Sequence, residues 1–477
     1  MFPSEYPEFG IHGRHGRLES WYGIGQSLLL LPFDMVGTAF ERLPVFDDYN
    51  GNDPSVRDIF ITYGVNVILN ISTALVCLRL LSLLGFSTPQ STAGVLSLLL
   101  LSTHLHYTQN TMENNYICIL TLCGFAYQLD WLKTGRTRSL LIGSCALGLN
   151  LLTRLTTGLD LLAAALLVLL TLRLEGARGY VFWNRAKNYA WVAIPIYAVF
   201  GLLDRLYQYH RFGSFFNTYI SVVAHEARQR NPLLPANYPF ETPFHVGFFG
   251  ALFSREKSIF LFDPLLIVML FLVVTLWSRF RPGVRAYVVA SATMLLAYTC
   301  FYARYTVWSG DFAWGDRYVS TAAELAALLA VPLLLALREE LSRWIRAACI
   351  AVIAASAAIQ AASLVFWFPL EIYQRKLLGP RFVIGLRFEN ILAFALGKME
   401  GWGLITPSVT NDSWDYVHIT CWNLLPFLLG HVGAAPAWVV HITLAIWLTA
   451  LAALAGVLWN LFRIMAPGMN KPGFRED

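Results

Sequence analysis

A short stretch between two apolar runs, "YTVWSGDFAWGDRYVS" at residues 305–320, concentrates side chains that can do chemistry. It contains two tryptophans, two aspartates and an arginine, at Trp308, Asp311, Trp314, Asp316 and Arg317. A carboxylate can accept a proton, an arginine offers a fork of N–H donors to an anion, and tryptophans favour membrane interfaces. These residue types make the stretch a candidate for a functional site.

Other charged residues lie inside apolar runs or at their edges, at Arg154, Asp160, Asp204, Asp263, Arg304 and Glu324. Charges at that depth are costly and usually face a cavity or a partner. Positions 317, 321 and 324 share one face of a helix, which predicts Glu324 two turns below Arg317. A structural salt bridge remains open, but a polar cavity that opens to the external surface is the preferred interpretation.

The composition of the chain is that of an integral membrane protein. Of 477 residues, 56% are hydrophobic and 14% are charged, and the mean hydropathy is +0.53. Soluble domains carry about 25% charged residues. The net charge of +5 requires no nucleic-acid partner, because lysine and arginine cluster in short loops. No CxxC or zinc-type spacing occurs, and His104 and His106 have no third ligand in view, so we expect neither a metal site nor a cofactor.

Apolar runs of about 20 residues predict the membrane spans, since that length crosses the hydrocarbon layer as a helix. About eleven runs meet this expectation, at 58–85, 92–105, 115–132, 138–152, 158–174, 189–208, 258–278, 285–302, 319–337, 346–368 and 437–463. A further run from Ile24 to Phe40 contains Pro32 and Asp34 and is interpreted as an interfacial helix, with a twelfth span as the alternative. The predicted class is an all-α membrane protein.

The positive-inside rule predicts the orientation of these spans. Basic short loops alternate with neutral ones, and the basic ones lie at 133–138, 173–187, 279–285 and 338–346 and in the tail after Leu461. We therefore expect a cytoplasmic C-terminus, with the polar loops at 104–114, 209–257, 303–318 and 369–436 on the external face. The N-terminus is then external too, which indicates a missing first transmembrane helix or, alternatively, a genuine external start.

Four stretches, in this order along the chain, resemble motifs of one family. They are "GRLESWYGIGQSLLLLPF" (16–33), "LLTRLTTGLDLL" (151–162), "FGSFFNTY" with "GALFSREKSIFLFDPLL" (212–219 and 250–266), and "WSGDFAWGDRYV" (308–319). The pattern is similar to that of bacterial polytopic glycosyltransferases with the GT-C fold, the dolichyl-phosphate-mannose protein mannosyltransferase and aminoarabinose transferase group. The resemblance implies sugar transfer from a polyprenyl-phosphate donor to a glycan, lipid or protein acceptor at the external face of the inner (plasma) membrane.

The resemblance also implies roles for individual residues. Positive side chains would stabilise the departing phosphate, and the candidates are Arg154, Arg255, Lys257, Arg304 and Arg317, although Arg255 and Lys257 also suit snorkelling at a helix start. The cavity would include Glu324, Trp308 and Trp314. The family carries its catalytic acid just after a first transmembrane helix that this chain lacks. The candidates for a substitute base are Glu113, which also suits a helix N-terminus, and Asp311 and Asp316.

The resemblance divides the chain into four parts. Residues 1–57 are the remnant of a first external loop with an interfacial helix, and 58–368 are the GT-C-like membrane core. Residues 369–436 form an external loop with an amphipathic segment, and 437–477 contain the last transmembrane helix and the cytoplasmic tail. Two other functions stay open: a transporter or lipid-carrier flippase, whose intramembrane charges would line a pathway, and an inactive relative in a polysaccharide assembly complex.

Overall fold

The computed structural model describes residues 10–20, 22–49, 55–310, 313–366, 370–371, 374, 378–379, 381–404 and 437–465. Within them, two short strands, β1 (Gly10–His12) and β2 (Leu18–Ser20), precede a series of helices. The first nine helices are α1 (Ile24–Glu41), α2 (Val56–Leu83), α3 (Thr88–Leu101), α4 (His104–Tyr107), α5 (Asn114–Thr134), α6 (Thr137–Thr153), α7 (Gly158–Leu174), α8 (Gly179–Phe212) and α9 (Tyr219–Arg230).

The second half of the chain continues the same pattern. Its helices are α10 (Phe244–Phe253), α11 (Ile259–Phe262), α12 (Leu265–Leu276), α13 (Pro282–Tyr302), α14 (Ser320–Ala327), α15 (Ala330–Ala336), α16 (Arg343–Ser363), α17 (Val383–Ala395) and α18 (Ala437–Met465). The all-α class predicted from the sequence is confirmed. Every predicted apolar run coincides with a helix or a pair of helices, and 24–40 is helical as well.

Six of the described helices are long and apolar enough to cross a membrane: Val56–Leu83, Leu155–Leu174, Gly179–Phe212, Pro282–Tyr302, Arg343–Ser363 and Ala437–Arg463. Three shorter apolar segments accompany them, at Phe244–Phe253, Leu265–Arg279 and Ser320–Ala336. The runs predicted at 92–105, 115–132 and 138–152 form α3, α5 and α6, which are shorter or more polar than these. The chain is therefore a polytopic helical membrane protein.

Helix α5 lies at the centre of the helix packing. Of its 21 residues, 17 are buried, because α2, α6, α7 and α14 surround it. Its buried polar side chains consequently need partners inside the protein. Thr121 donates to Asp160 at 2.6 Å, and Gln128 donates to the Tyr197 hydroxyl at 2.9 Å. The polar side chains at this centre therefore form hydrogen bonds with neighbouring helices rather than with solvent.

The outer helices instead expose large apolar side chains. Helix α18 is the clearest case, with Trp438, Ile446 and Trp459 all more than half exposed. The predicted span α2 likewise exposes Ile71 and Leu75. Apolar faces of this extent are expected where lipid, rather than water, contacts the helix.

The N-terminal hairpin is attached to the membrane core at the end of α8. The strands pair antiparallel with Ile11 opposite Glu19, and Ile11 is fully buried. Arg211 donates to the backbone oxygens of Ser20 and Tyr22. A Cβ on Gly23 would lie 2.2 Å from the Leu152 oxygen, so the start of α1 presses directly on the end of α6. This contact brings Tyr22 beside the turn that carries Arg154.

The segment after residue 369 contacts the membrane core through Arg387 of α17, whose Nη1 donates to the Ala362 oxygen of α16 at 3.3 Å. A buried ion pair within the segment holds this arginine in place. Arg387 of α17 donates from Nε and Nη2 to the two carboxylate oxygens of Glu371, at 2.7 and 2.9 Å, and both side chains are fully buried. Asn390 also donates to Glu371, at 3.0 Å. Within the predicted amphipathic segment, residues Val383–Ala395 form a helix, and its Arg387 is buried in the protein.

Candidate functional site

The turn between α6 and α7 presents Arg154 to a carboxylate from the start of α5. The backbone of Arg154 is extended, which ends α6 after Thr153 and turns the side chain toward Glu113. Arg154 Nε donates to Glu113 Oε1 at 2.8 Å, and Nη2 contacts the same oxygen. Glu113 occupies the N-cap position of α5, but its side chain makes no capping hydrogen bond. Glu113 therefore forms an ion pair with Arg154 and does not cap the N-terminus of α5.

Arg317 lies just before the start of α14, in the turn that closes the 305–320 stretch. Its backbone oxygen accepts a hydrogen bond from the Asn114 side chain at 2.8 Å, which ties the turn to the start of α5. Its Nη2 lies 3.3 Å from the Tyr318 hydroxyl, and its Nε is buried without a hydrogen-bond partner among the described residues. Gly310 has a positive φ of 74°, and a Cβ there would lie 2.7 Å from the Arg317 nitrogen. The glycine thus permits the turn to fold back on Arg317.

Tyr318 lies between the two arginines. The Arg154 and Arg317 guanidinium carbons are 5.5 and 5.2 Å from the centre of its ring, within the range of cation–π attraction. Tyr302 stacks on Tyr318 at 4.4 Å, and Tyr305 meets it edge-on at 5.6 Å. Arg154 and Arg317 therefore lie against a cluster of three tyrosines, Tyr302, Tyr305 and Tyr318, which we call the tyrosine wall.

Tyr22 of the N-terminal segment lies close enough to this group for its charges to act on the Tyr22 hydroxyl. Burial raises the pKa of Tyr22, Arg317 and Arg154 act on it in the opposite direction, and Glu113 raises it further. Tyr22 therefore shares the electrostatic environment of both arginines and of their carboxylate. The sequence alone did not single out Tyr22, Tyr302 or Tyr318; the "RY" pair at 317–318 was the available signal for the last of them.

Asp316, directly before Arg317 in the chain, is buried. Its Oδ1 accepts a hydrogen bond from the Tyr318 backbone at 3.1 Å, whereas its buried Oδ2 has no hydrogen-bond partner among the described residues. Burial raises the pKa of Asp316 to about 7, although Lys257 and Arg317 act to lower it. Only 3% of the side chain surface is exposed. This placement does not suit a base that must reach an external acceptor.

Lys257 supports the same turn from below. Its Nζ donates to the backbone oxygens of Ala313 and Gly315, at 2.7 and 3.0 Å, and the side chain is buried. Neither the phosphate contact predicted for Lys257 nor ordinary snorkelling describes this arrangement. Arg255 and Arg304, by contrast, are exposed and lie outside the tyrosine wall.

The three residues predicted to line one cavity, Glu324, Trp308 and Trp314, have different surroundings in the structure. Trp308 packs against α10, where a Cβ on Gly250 would lie 2.3 Å from its ring. Trp314 is buried beneath the turn, edge-on to Phe262 at 4.9 Å. Glu324 contacts Thr103 at 2.8 Å rather than Arg317, because Arg317 precedes the helix and its side chain does not share the helical face. Asp311 lies outside the described residues.

Asp160 is one of the charged residues that the sequence places inside an apolar run. Its side chain is buried, and its carboxylate oxygens have hydrogen-bond donors. It accepts hydrogen bonds from Thr121 at 2.6 Å, Asn150 at 3.0 Å and the Tyr298 hydroxyl at 2.8 Å. A small cavity reaches from it to Arg154 and Tyr318. Arg154 lines this cavity and Arg317 does not, and the space has room for about one water molecule.

The assembled group can bind an anion and hold a base next to it. Arg317 has donors without a carboxylate partner among the described residues, Arg154 adds a second positive charge, and Glu113 keeps its Oε2 without a hydrogen bond from that part of the chain. Such charge-assisted donors bind phosphate oxygens well.

No protein-family model matches the chain, and no curated protein matches it. The chain is similar to a solved structure described as the crystal structure of ArnT from Cupriavidus metallidurans bound to undecaprenyl phosphate. The sequence identity is 14%, the TM-score is 0.40, and the match covers 88% of this chain and 72% of that chain.

Proposed function

We propose that this protein is a membrane glycosyltransferase that moves a sugar from a polyprenyl-phosphate-linked donor to an acceptor on the extracytoplasmic face. The motif pattern at residues 16–33, 151–162, 212–266 and 308–319 supports this reaction class. Three of the motifs contribute residues to one group, since Tyr22, Arg154 and Arg317 meet around Tyr318. Motifs that lie far apart in sequence and close in space favour a shared function.

The observation that carries the proposal is the Arg317 guanidinium. It is largely enclosed, and its buried Nε has no hydrogen-bond partner among the described residues. An unpaired buried donor on a charged group is costly, and a phosphate oxygen would satisfy it. Arg154 lies beside the same tyrosine ring and would share the charge of the phosphate. Both arginines would stabilise the negative charge that grows on the phosphate as the sugar leaves.

Glu113 is the base that we assign to the acceptor. The acceptor hydroxyl would attack the anomeric carbon, the bond from that carbon to the phosphate oxygen would break, and the hydroxyl proton would pass to the carboxylate. Arg154 engages only Oε1 of Glu113, which leaves Oε2 for the hydroxyl. Asp316 is less suited because it is buried behind the turn.

A binding experiment tests the phosphate role directly. The protein in lipid nanodiscs would be titrated with undecaprenyl phosphate, and the bound lipid would be counted by native mass spectrometry. We expect Arg317→Ala to weaken binding at least about tenfold, since it removes charge-assisted hydrogen bonds. Arg317→Lys should weaken it less. Arg304→Ala is the matched control, because Arg304 is exposed and outside the tyrosine wall.

Sugar transfer would then be followed in membranes supplied with radiolabelled undecaprenyl-phosphate sugars. Wild-type protein should label an acceptor, and Arg317→Ala should not. Equal lipid affinity for wild type and Arg317→Ala would contradict the assignment of Arg317. Binding without transfer to any acceptor would instead support an inactive relative.

A further inference from the structure

A second cluster of reactive side chains lies deeper in the protein, apart from the arginine pair. It brings together His104 from α4, Cys118 from α5 and Glu324 from α14, and all three side chains are buried. One ligand atom of each, the imidazole nitrogen, the thiol sulfur and a carboxylate oxygen, lies within 4.8 Å of the other two. These are three of the atom types that bind zinc in proteins.

The hydrogen bonds around His104 orient its imidazole ring and fix which ring nitrogen carries the proton. Its Nε2 lies 2.9 Å from Asn70 Oδ1, and the Asn70 amide nitrogen donates to the Asn66 oxygen at 2.7 Å. Asn70 therefore presents an acceptor to the ring, so Nε2 carries the proton and Nδ1 carries a lone pair. An imidazole whose far nitrogen donates to an oxygen acceptor is the usual arrangement of a metal-bound histidine.

That lone pair faces a carboxylate oxygen of Glu324. His104 Nδ1 lies 3.9 Å from Glu324 Oε2, and each atom is buried without a hydrogen-bond partner among the described residues. Two acceptors that face each other in a buried space are unfavourable unless a proton or a cation lies between them. A cation held by both atoms and by Cys118 Sγ would meet this requirement.

The charges around the cluster lead to the same conclusion. The Thr103 hydroxyl lies 2.8 Å from Glu324 Oε1 and 3.0 Å from Asp263 Oδ2, and its single proton can be donated to one of them. Within the described chain, no lysine or arginine bonds to either carboxyl. A divalent cation would bring positive charge next to the Glu324 carboxylate, where the described chain brings none.

We propose that His104 Nδ1, Cys118 Sγ and a Glu324 carboxylate oxygen bind a zinc ion as its three protein ligands. A thiolate, an imidazole and a carboxylate together favour zinc over calcium or magnesium. Tetrahedral zinc places its ligand atoms about 3.4 to 3.7 Å apart, so the observed side chains need to close by roughly 1 Å at most. Binding deprotonates the Cys118 thiol, and the proton leaves to solvent.

The ion would lock three elements together below the arginine pair. Helix α5 carries Cys118 and, one turn earlier, Asn114, whose side chain holds the Arg317 turn. Helix α14 carries Glu324 and begins directly after that turn. From the sequence we expect no metal site at His104, because no third ligand is in view; the ligands proposed here come from three separate elements and share no short motif.

Metal analysis of the purified protein tests the proposal. Wild-type protein in nanodiscs, loaded with zinc and dialysed, should contain about one zinc ion per chain by plasma mass spectrometry. Cys118→Ser and Glu324→Gln should each lower the content at least about tenfold. Cys349→Ser is the matched control, because Cys349 is also buried but lies on α16, outside the cluster. Wild-type protein without zinc, or full zinc in Cys118→Ser, would overturn the proposal.

Cobalt substitution gives a second measurement that does not need a folded variant. Wild-type protein loaded with Co²⁺ should show the near-ultraviolet charge-transfer band of a cobalt thiolate, and its absence would overturn the Cys118 assignment. Arg317→Ala should bind zinc as wild type does. Loss of polyprenyl-phosphate binding in that variant with zinc retained would separate the two sites.

Discussion

Arg154 Nε donates to Glu113 Oε1 across 2.8 Å, which joins the end of α6 to the start of α5. The two side chains are only 13% and 15% exposed. Tyr318 lies against the Arg154 guanidinium, and Arg317 lies against the same tyrosine. A carboxylate and two arginines are thereby held around one ring, and this arrangement underlies the first prediction.

Glu113→Ala should lower both stability and sugar transfer. The change leaves the enclosed Arg154 guanidinium without its carboxylate, at a cost of about 1–3 kcal/mol in the free energy of unfolding. Glu113→Gln keeps a hydrogen-bond acceptor but no base, so it should fold nearly normally and lose transfer at least about 100-fold. Thermal unfolding in detergent and turnover with a labelled donor measure the two effects.

The exposed Arg57–Asp34 pair provides the control for that experiment. Its side chains are 45% and 34% exposed, so Arg57→Ala should cost less than about 1 kcal/mol and leave transfer unchanged. Full transfer activity in Glu113→Gln would show that another group takes the proton.

Glu371→Ala should loosen the packing of α17 on the membrane core, because Glu371 holds Arg387, which donates to the Ala362 oxygen of α16. The change leaves the fully buried Arg387 without its bidentate partner, which costs about 3–5 kcal/mol. We expect a lower unfolding temperature and faster proteolysis within residues 378–404. The exposed Arg381–Glu389 pair, at 3.8 Å, is the matched comparison. Glu389→Ala should change stability by less than about 1 kcal/mol, and equal effects of the two variants would contradict the docking role of Glu371.

Gly23→Ala should disturb the site by displacing the start of α1. The added Cβ would lie 2.2 Å from the Leu152 oxygen, and backbone atoms cannot yield as a side chain does. The displacement moves Tyr22 away from the arginines, so transfer should fall about tenfold or more. Gly201→Ala, where a Cβ meets nothing within 4 Å in the middle of α8, should instead be neutral or slightly stabilising. Sugar-transfer rates and thermal unfolding temperatures of both variants, measured beside wild type, test this difference.

Stability should fall as the pH rises toward neutrality, in part because of Asp316. Its pKa is raised from 3.8 to about 7 in the folded protein, so its contribution is fully present below about pH 4 and lost as the pH rises through 7. Asp316→Asn removes this titration and should gain about 1–3 kcal/mol relative to wild type at pH 8, with a smaller gain at pH 5. Thermal unfolding at both values tests this, with the exposed Glu339→Gln as control; a gain that is equal at the two pH values would contradict it.

The hydrophobic pattern alone was sufficient to predict the helices. Runs such as 58–85 and 285–302 are long and apolar because a span must satisfy every backbone group within itself, so period and length identify it. The same pattern located α5 to within two residues at each end, although the polar residues of this helix are paired inside the protein. Breaks within the runs at Pro264 and near Leu328 also required the structure, because apolar composition does not report where a helix is interrupted.

The sequence by itself determined a polytopic helical membrane protein and pointed to Arg154, Arg317 and Glu113 as residues of interest. Only the tertiary structure decided which of the charged residues meet. It grouped Arg154 with Glu113, turned Asp316 and Lys257 inward, and set Glu324 beside His104 and Cys118. The physical reason is that side-chain partners on different helices depend on helix rotation and packing, which no local pattern of residues encodes.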